Sequence, residues 1–435
     1  MQVGELYIRA REATMGESSP QWTSSHFQTI TYYLLLPFKM RLSPIICLFS
    51  SVPGWSVNGH PMSNPNKAIY VLTNAAENAI IGVPIHENGL LGDAQVTLTG
   101  GSGERALHND GQPAGPDSLF SQGAVAATEE YIFAVNPGSN TLSMLRPSET
   151  NPSKLTLVGE SAIVPGDFPN TVAASEKGRL VCVGTTGTKN GVSCTTYGKN
   201  GLGEFDELRL FGLGQSTPPV GPANTVSHVF FSADESVLYA TVKGDGTANN
   251  TGFFSVFPIH YGDSPNTPAI LSRNDVRSSP NGTGQLFGSA VIPSSDVILA
   301  TDPGFGAAAL SVDRTTHDAE LVGKAVIPDQ TATCWAAYSA RTNSIFVTDA
   351  AVNRLVELDA VDARILRSIN LPNDDPGLVD LVVVDRLVYA LSPGNGTTDA
   401  AITVFDIERN QQVQHLSLKE SGAGPGAVGM AYLEL

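Results

Sequence analysis

The chain repeats one apolar motif seven times. Each copy is a run of apolar, largely β-branched residues that ends in a turn: AIYVLTNAAEN, YIFAVNPGSN, RLVCVGTTG, VLYATVKGDG, VILATDPGFG, SIFVTDAAVN and LVYALSPGNG. The residues entering these turns are Asn74, Asn136, Gly184, Val242, Asp302, Asp349 and Ser392. They lie roughly 50 residues apart, and the uneven spacing is read as loop insertion rather than a lost repeat. A segment of small residues precedes six of the runs: SQGAVAAT, PNTVAAS, VSHVFFS, FGSAVIP, TCWAAYS and VDLVVV. Polar turns such as EKGR, ADES and SARTN join the two, and a further run often follows, as in NTLSMLRP, FFSVFPI, RLVELDA and AITVFDI. One unit therefore reads as a small-residue strand, a turn, an apolar strand, a turn and an outer strand. The first two strands are continuously apolar, which predicts burial on both faces, as in a sheet standing radially between two others. Half-exposed sandwich strands would alternate instead.

The seventh small-residue segment is displaced. Asn66 and Lys67 lead straight into the first apolar run, and the missing segment stands at the other end of the chain as GPGAVGMAYLEL, Gly424–Leu435. Pairing it beside Ile69–Thr73 closes a ring and leaves no open radial edge. The prediction is an all-β fold, a seven-bladed β-propeller over residues 60–435, closed by pairing of the C-terminal strand with the first blade. Asn74, Asn136, Asp302 and Asp349 are read as hairpin residues, because Asn and Asp tolerate left-handed backbone and bond to their own turns.

Composition supports this. The 435 residues include 43 Gly and 28 Pro, as many short strands with tight turns require, and 41% hydrophobic residues, enough for a large core. Only 15% are charged, with a net charge of −17 and no cluster of Lys and Arg. Nucleic-acid binding is excluded on that ground, since neutralising phosphates needs clustered cations. Residues 1–59 do not match the rest and are read as a leader. Residues 40–59 resemble a signal peptide, with a short basic start at Met40, an apolar run over Leu42–Trp55, and Val57 and Gly59 before a cleavage near His60. Residues 1–39 are read as an upstream extension; a signal anchor with a disordered tail is the alternative. Pro44 and Pro53 argue against a stable membrane span.

Four Cys are present, Cys47, Cys182, Cys194 and Cys334, without CxxC spacing, and the His residues show no ligand spacing, so no metal site and no cofactor is expected. Cys182 and Cys194 flank the Gly-rich GTTGTKNG. If that stretch is a hairpin the thiols face one another and form a disulfide; two free buried thiols are the alternative. Cys334, in ATCWAAYS, is expected as a buried unreactive thiol. Asn249, Asn281 and Asn395 open N-x-S/T triplets in Gly/Asn/Thr-rich loops and are candidate N-glycosylation sites. Signal, disulfide and triplets together point to an extracellular or cell-wall location. The acidic turns His108–Asp117 and Asn373–Gly377 lack EF-hand spacing and are expected to be solvated loops.

The segments YVLTNAAEN, LFSQGAVAA, FAVNPGSNTLS and CWAAYS give residues 66–435 a further property. They resemble the lactonase-like seven-bladed propellers, the group of 6-phosphogluconolactonase and fungal 3-carboxy-cis,cis-muconate cyclase, and look closest to secreted fungal members named carboxymuconate cyclase by similarity. The resemblance implies His, Arg and Glu around the central channel, with the His and Arg five residues before the Ser, Thr or Pro that ends the inner strand. The same column here reads Gly123, Asn170, Ser227, Gly288, Cys334, Val379 and Gly426, and the next one offers only His228 and Asp380 as ionisable groups. The residues expected at the channel mouth are therefore neutral and polar: Gln122, Asn170, Ser227, His228 and Trp335, with His228 the one weak catalytic candidate. They suit a small neutral ligand such as a saccharide, stacked on Trp335. Two functions follow. One is a secreted, monomeric, carboxymuconate cyclase-like propeller that binds a ligand or a cell-surface partner with little catalysis. The alternative is a lactone hydrolase or muconate cycloisomerase acting at the channel.

Overall fold

The computed structural model describes residues 65–247, 249–262 and 267–435. The leader, its signal-like segment and Cys47 lie outside the described residues. The strands form seven antiparallel sheets, each a blade, arranged as a seven-bladed β-propeller. Blade 2 shows the pattern: Val125–Ala127 innermost, then Ile132–Asn136, Thr141–Ser148 and Asn151–Leu157. The inner strands of blades 3 to 7 are Pro169–Ser175, Val226–Phe231, Ser289–Val291, Thr333–Ser339 and Leu381–Val384.

Blade 1 takes its inner strand from the C-terminus. Val428–Glu434 pairs with Lys67–Leu72, with Tyr432 opposite Ile69 and Met430 opposite Val71. Lys67–Leu72 in turn pairs with Ala79–Ile85, and that with Gln95–Leu98. The ring closure expected from the displaced segment is thus present.

The second strand of each blade is buried over most of its length, apart from Lys67, Val297 and the exposed end at residues 245–247. Leu387–Ser392 and Ser344–Asp349, for example, have no accessible residue. Radial sheets bury both faces, and burial at roughly 25 cal/mol per Å² of apolar surface favours β-branched and aliphatic residues at every position. The sequence units contained three strands, yet every blade has at least a fourth, long in blades 2, 5, 6 and 7 at Asn151–Leu157, Ala319–Val326, Ile365–Asn370 and Gln411–Ser417 and shorter in blades 1, 3 and 4. These outer strands face solvent on one side, so residues such as Glu320 and Arg367 interrupt their apolar character. The turn residues act as expected and also hold the loop entering their own blade. Asp349 accepts the amides of Thr331 and Ala332, and Asp302 those of Gly284 and Gln285.

Cys182 and Cys194 lie directly opposite one another in the second and third strands of blade 3 and form a disulfide. Cys334 is free and buried. Among the described residues no helix is long and apolar enough to cross a membrane.

Closure by one strand makes the last residues of the chain structural. Deleting residues 424–435 is expected to leave Lys67–Leu72 with an open edge and to lower stability by several kcal/mol, roughly the scale of losing a buried strand. Thermal melting of the truncated and full chains measures this, and identical melting would refute the closure.

Candidate functional site

Seven inner strands converge on one axis, and their register decides what reaches it. Blades 3, 4 and 6 each carry a one-residue bulge, at Asn170, Ser227 and Cys334, as the counting column anticipated. The closing strand bulges at Gly429 (φ 76°), not at Gly426. In blade 7 the equivalent position belongs to Asp380 rather than Val379. Its carbonyl accepts the amide of Leu391 just as that of Gly288 accepts the amide of Thr301. Counting back from the strand end misplaces the column wherever the hairpin changes length. A carboxylate therefore stands in the axial column.

The inner strands of blades 1, 2, 3, 4, 6 and 7 line a cavity of about 500 Å³. Its wall side chains are mostly apolar, with Val125, Val172, Phe231, Val383, Met430 and Tyr432 among them, while about half of the surface it exposes is polar. Accessibility rises toward the C-terminal ends of the strands, at Ala127, Phe231, Val383 and Tyr432, so the mouth lies where first strands turn into second strands. The floor is made by Gln122, Gly123, His228 and Asp380.

Each floor residue is held from another blade. Gln122 reaches across the axis, donating from Nε2 to the Ala336 carbonyl (3.0 Å) and accepting the Ala336 amide at Oε1 (3.1 Å). It can do so because Gly288 has no side chain: a Cβ there would sit 2.0 Å from Oε1 of Gln122. His228 accepts the Ser289 amide at Nδ1 (3.2 Å) and stacks on Phe230 (centroids 4.7 Å apart). With Nδ1 accepting, the ring proton belongs on Nε2. Burial pushes the His228 pKa down to about 3, so the ring is neutral at ordinary pH. Asp380 is buried, with a left-handed backbone (φ 85°). Its Oδ1 accepts the Leu381 amide (2.9 Å) and its Oδ2 the Met430 amide (2.9 Å), and the Gly123 amide also bonds to the carboxylate. Burial outweighs these bonds and raises its pKa to about 7.

A second polar group lies at the axis outside the pocket. Lys243, 2% exposed, donates from Nζ to the Phe120 carbonyl (2.6 Å) and Ser227 Oγ (2.9 Å), and its Nζ lies 4.1 Å from the ring centroid of Phe287. Asp117 is within electrostatic reach, and its Oδ1 is sealed from solvent without a hydrogen-bond partner. Burial lowers the Lys243 pKa and raises that of Asp117, and each charge partly offsets the effect on the other. Burial, with the Asp117 charge, also pushes the Cys334 thiol well up, so it is a poor nucleophile.

These placements revise the sequence reading. Of the residues expected at the channel mouth, only Gln122 and His228 border the pocket, and both are at its floor. Trp335 is fully buried, with Nε1 donating to the Ser121 carbonyl (3.2 Å), so it presents no stacking face. Asn170 is buried and donates to the Leu119 (3.2 Å) and Val226 (2.7 Å) carbonyls, and Ser227 is buried against Lys243. Nor is the axis neutral, since Lys243, Asp117 and Asp380 all reach it. Asp117, expected in a solvated turn, is folded inward. The signal for Lys243 was present in VLYATVKGDG: a lysine continuing an apolar strand that is buried on both faces.

Elsewhere, a groove of about 440 Å³ between blades 4 and 5 carries Asp234, Asp296, Arg314 and His317. Its charges are already engaged, Arg314 with Asp296 (2.5 Å) and Asp234 with the hydroxyls of Ser232 (2.8 Å) and Ser236 (2.7 Å).

No family model and no curated protein matches this chain. Solved structures do. A periplasmic gluconolactonase of Pseudomonas aeruginosa superposes with a TM-score of 0.57 at 14% identity, covering 84% of this chain and 98% of that one. A Bacteroides fragilis protein provisionally assigned as a 6-phosphogluconolactonase gives 0.59 at 10% identity, covering 86% of this chain and all of that one. At such identities the likeness is one of fold: the chain shares the β-propeller architecture of these two proteins.

Two variants test the axial charges. Lys243→Met leaves two acceptors and Asp117 without their cation and is expected to cost about 2–4 kcal/mol in denaturant unfolding, with Asp117→Asn in the same background recovering part of it. A loss below about 0.5 kcal/mol, the usual range for surface changes, would show that the charge is not structural. For His228 the folded pKa lies below the unfolded value, so its contribution is complete above pH 6.5 and is lost as pH falls toward 3. His228→Phe should flatten the stability profile across that interval.

Proposed function

We propose that the protein is an exported propeller that binds a small, uncharged, largely apolar ligand in the axial pocket, with little or no lactone hydrolysis or muconate cyclisation. One observation carries this reading. Among the described residues the pocket wall contains no Lys or Arg, and its floor holds a carboxyl group. A phosphorylated lactone or a tricarboxylate would shed its hydration there without a charge-assisted partner, at several kcal/mol per buried charge. The axial cation, Lys243, is engaged by Phe120, Ser227 and Phe287. With Trp335 buried and the walls made of Ala, Val, Leu and Phe, the pocket favours a compact body with few hydroxyls over the saccharide suggested by the sequence.

Export rests on the signal-like segment and the N-x-S/T triplets. Asn249, Asn281 and Asn395 are all exposed. Asn249 and Asn395 occupy turns between second and third strands, and Asn281 the connection entering blade 5. In an antiparallel blade these positions share the end opposite the first-to-second-strand turns. Glycans on them would leave the pocket mouth free for a ligand or a cell-surface partner.

A second reading has one observation in its favour. Asp380 titrates near neutrality, as a general acid–base should, and that suits a lactone hydrolase working at the channel. One assay separates the two. The purified protein is incubated with 6-phosphogluconolactone and with 3-carboxymuconate, and turnover well below ~1 s⁻¹, the low end of ordinary enzyme rates, is expected. Turnover at or above that rate, abolished by Asp380→Asn, would replace the binding reading with the enzymatic one.

A further inference from the structure

Pocket walls of alanine, valine and phenylalanine hold a ligand without orienting it, so its polar group must meet the floor. The amide hydrogens of Gln122 are taken by the Ala336 and Ser289 carbonyls, which leaves two floor side chains that carry a free polar hydrogen or can do so. His228 has Nδ1 committed to the Ser289 amide, which leaves the proton on Nε2. That nitrogen lies 3.2 Å from where a Cβ on Gly123 would stand, and the Gly123 amide itself bonds to the Asp380 carboxylate. Gly123 is thus the shared neighbour of both groups, and the two side chains, from blades 4 and 7, flank one point of the floor.

We propose that Asp380, in its protonated form, and His228 Nε2–H together anchor a carbonyl oxygen, so that the pocket selects uncharged ketones, esters or lactones over hydrocarbons and alkenes of the same shape. This inference rests on the binding reading above and supplies its ligand class. A carbonyl oxygen has two lone pairs and accepts from both donors at once. An ionised Asp380 is acceptor-only and turns a negative face to the same oxygen. Binding is therefore strong below the pKa of the Asp380 carboxyl, about 7, and weakens above it. The titratable groups facing Asp380 are His228, Tyr432 at the mouth and Asp117 near the axis. His228 stays neutral above pH 3 and Tyr432 is raised by burial, so neither changes charge near neutrality. Asp117 does titrate closer to this range and has to be separated by experiment.

The test compares 2-acetylnaphthalene with 2-isopropenylnaphthalene, which replaces the carbonyl oxygen by a methylene at nearly constant shape. Binding to the full chain is followed through the ¹³C-methyl signal of Met430, a pocket-wall residue. At pH 5.5 the ketone should bind about tenfold more tightly than the alkene, the scale of one to two net hydrogen bonds. By pH 8.5 that preference should shrink several-fold. In Asp380→Asn, which keeps a neutral donor, the preference should persist without pH dependence. Equal binding of both probes at both pH values would overturn the carbonyl anchor and leave the apolar pocket standing. Binding of neither would overturn the anchor and the binding reading together. A pH-dependent preference that survives in Asp380→Asn would assign the titration to Asp117 and refute the role of Asp380. The wild-type comparison decides the matter even if the variant fails to fold.

Discussion

The ring depends on one strand pairing. Every blade buries both faces of its inner strands against its neighbours, so no blade is stable by itself, and the circle has to be completed by residues from opposite ends of the chain. Val428–Glu434 beside Lys67–Leu72 does this. Lys67 also pairs with Glu434 (3.2 Å), but both side chains are substantially exposed and a surface ion pair contributes little. The stabilisation comes from the ladder and from Ile69, Val71, Met430 and Leu433, all buried.

Closure brings a second constraint. Seven inner strands crowding one axis bring backbone amides and carbonyls together where water is scarce, and each has to find a partner. Side chains from facing blades supply them. Gln122 bridges blades 2 and 6, Asn170 ties blade 3 to the Leu119 and Val226 carbonyls, Trp335 caps the Ser121 carbonyl, and Lys243 takes that of Phe120. The polar residues that look like a ligand-binding constellation in sequence are, for the most part, the hydrogen-bond partners that let the propeller close. Small residues are needed for the same reason, as Gly288 shows beneath Gln122.

This explains which features the sequence made legible. Blade number, ring closure and the Cys182–Cys194 pair follow from patterns that repeat: continuous apolar runs, a displaced segment, a Gly-rich hairpin. The fourth strands were missed because half-exposed strands carry residues such as Glu320 and Arg367 that dilute the pattern. The axial column was misread by one residue at Asp380 and by three at Gly429, because counting back from the strand end fails where the hairpin changes length, and such a change leaves no compositional mark. Lys243 was passed over because its strand was read as ending at Val242. Its burial follows from the blade continuing to Thr247, which depends on pairing with Asn250–His260.

The same logic separates fold from chemistry in the comparison with gluconolactonases. The superposition reflects the constraint that seven radial sheets impose on any sequence, and the axial side chains are free to differ beneath it. Here the axial cation satisfies a carbonyl and a hydroxyl outside the pocket, and the pocket floor holds a carboxyl whose ionisation burial opposes. With the cation held away from the pocket and a carboxyl at its floor, the pocket offers an anion no charge-assisted partner. That arrangement needs no change in the fold, only a lysine on the second strand of blade 4 and an aspartate at the axial position of blade 7.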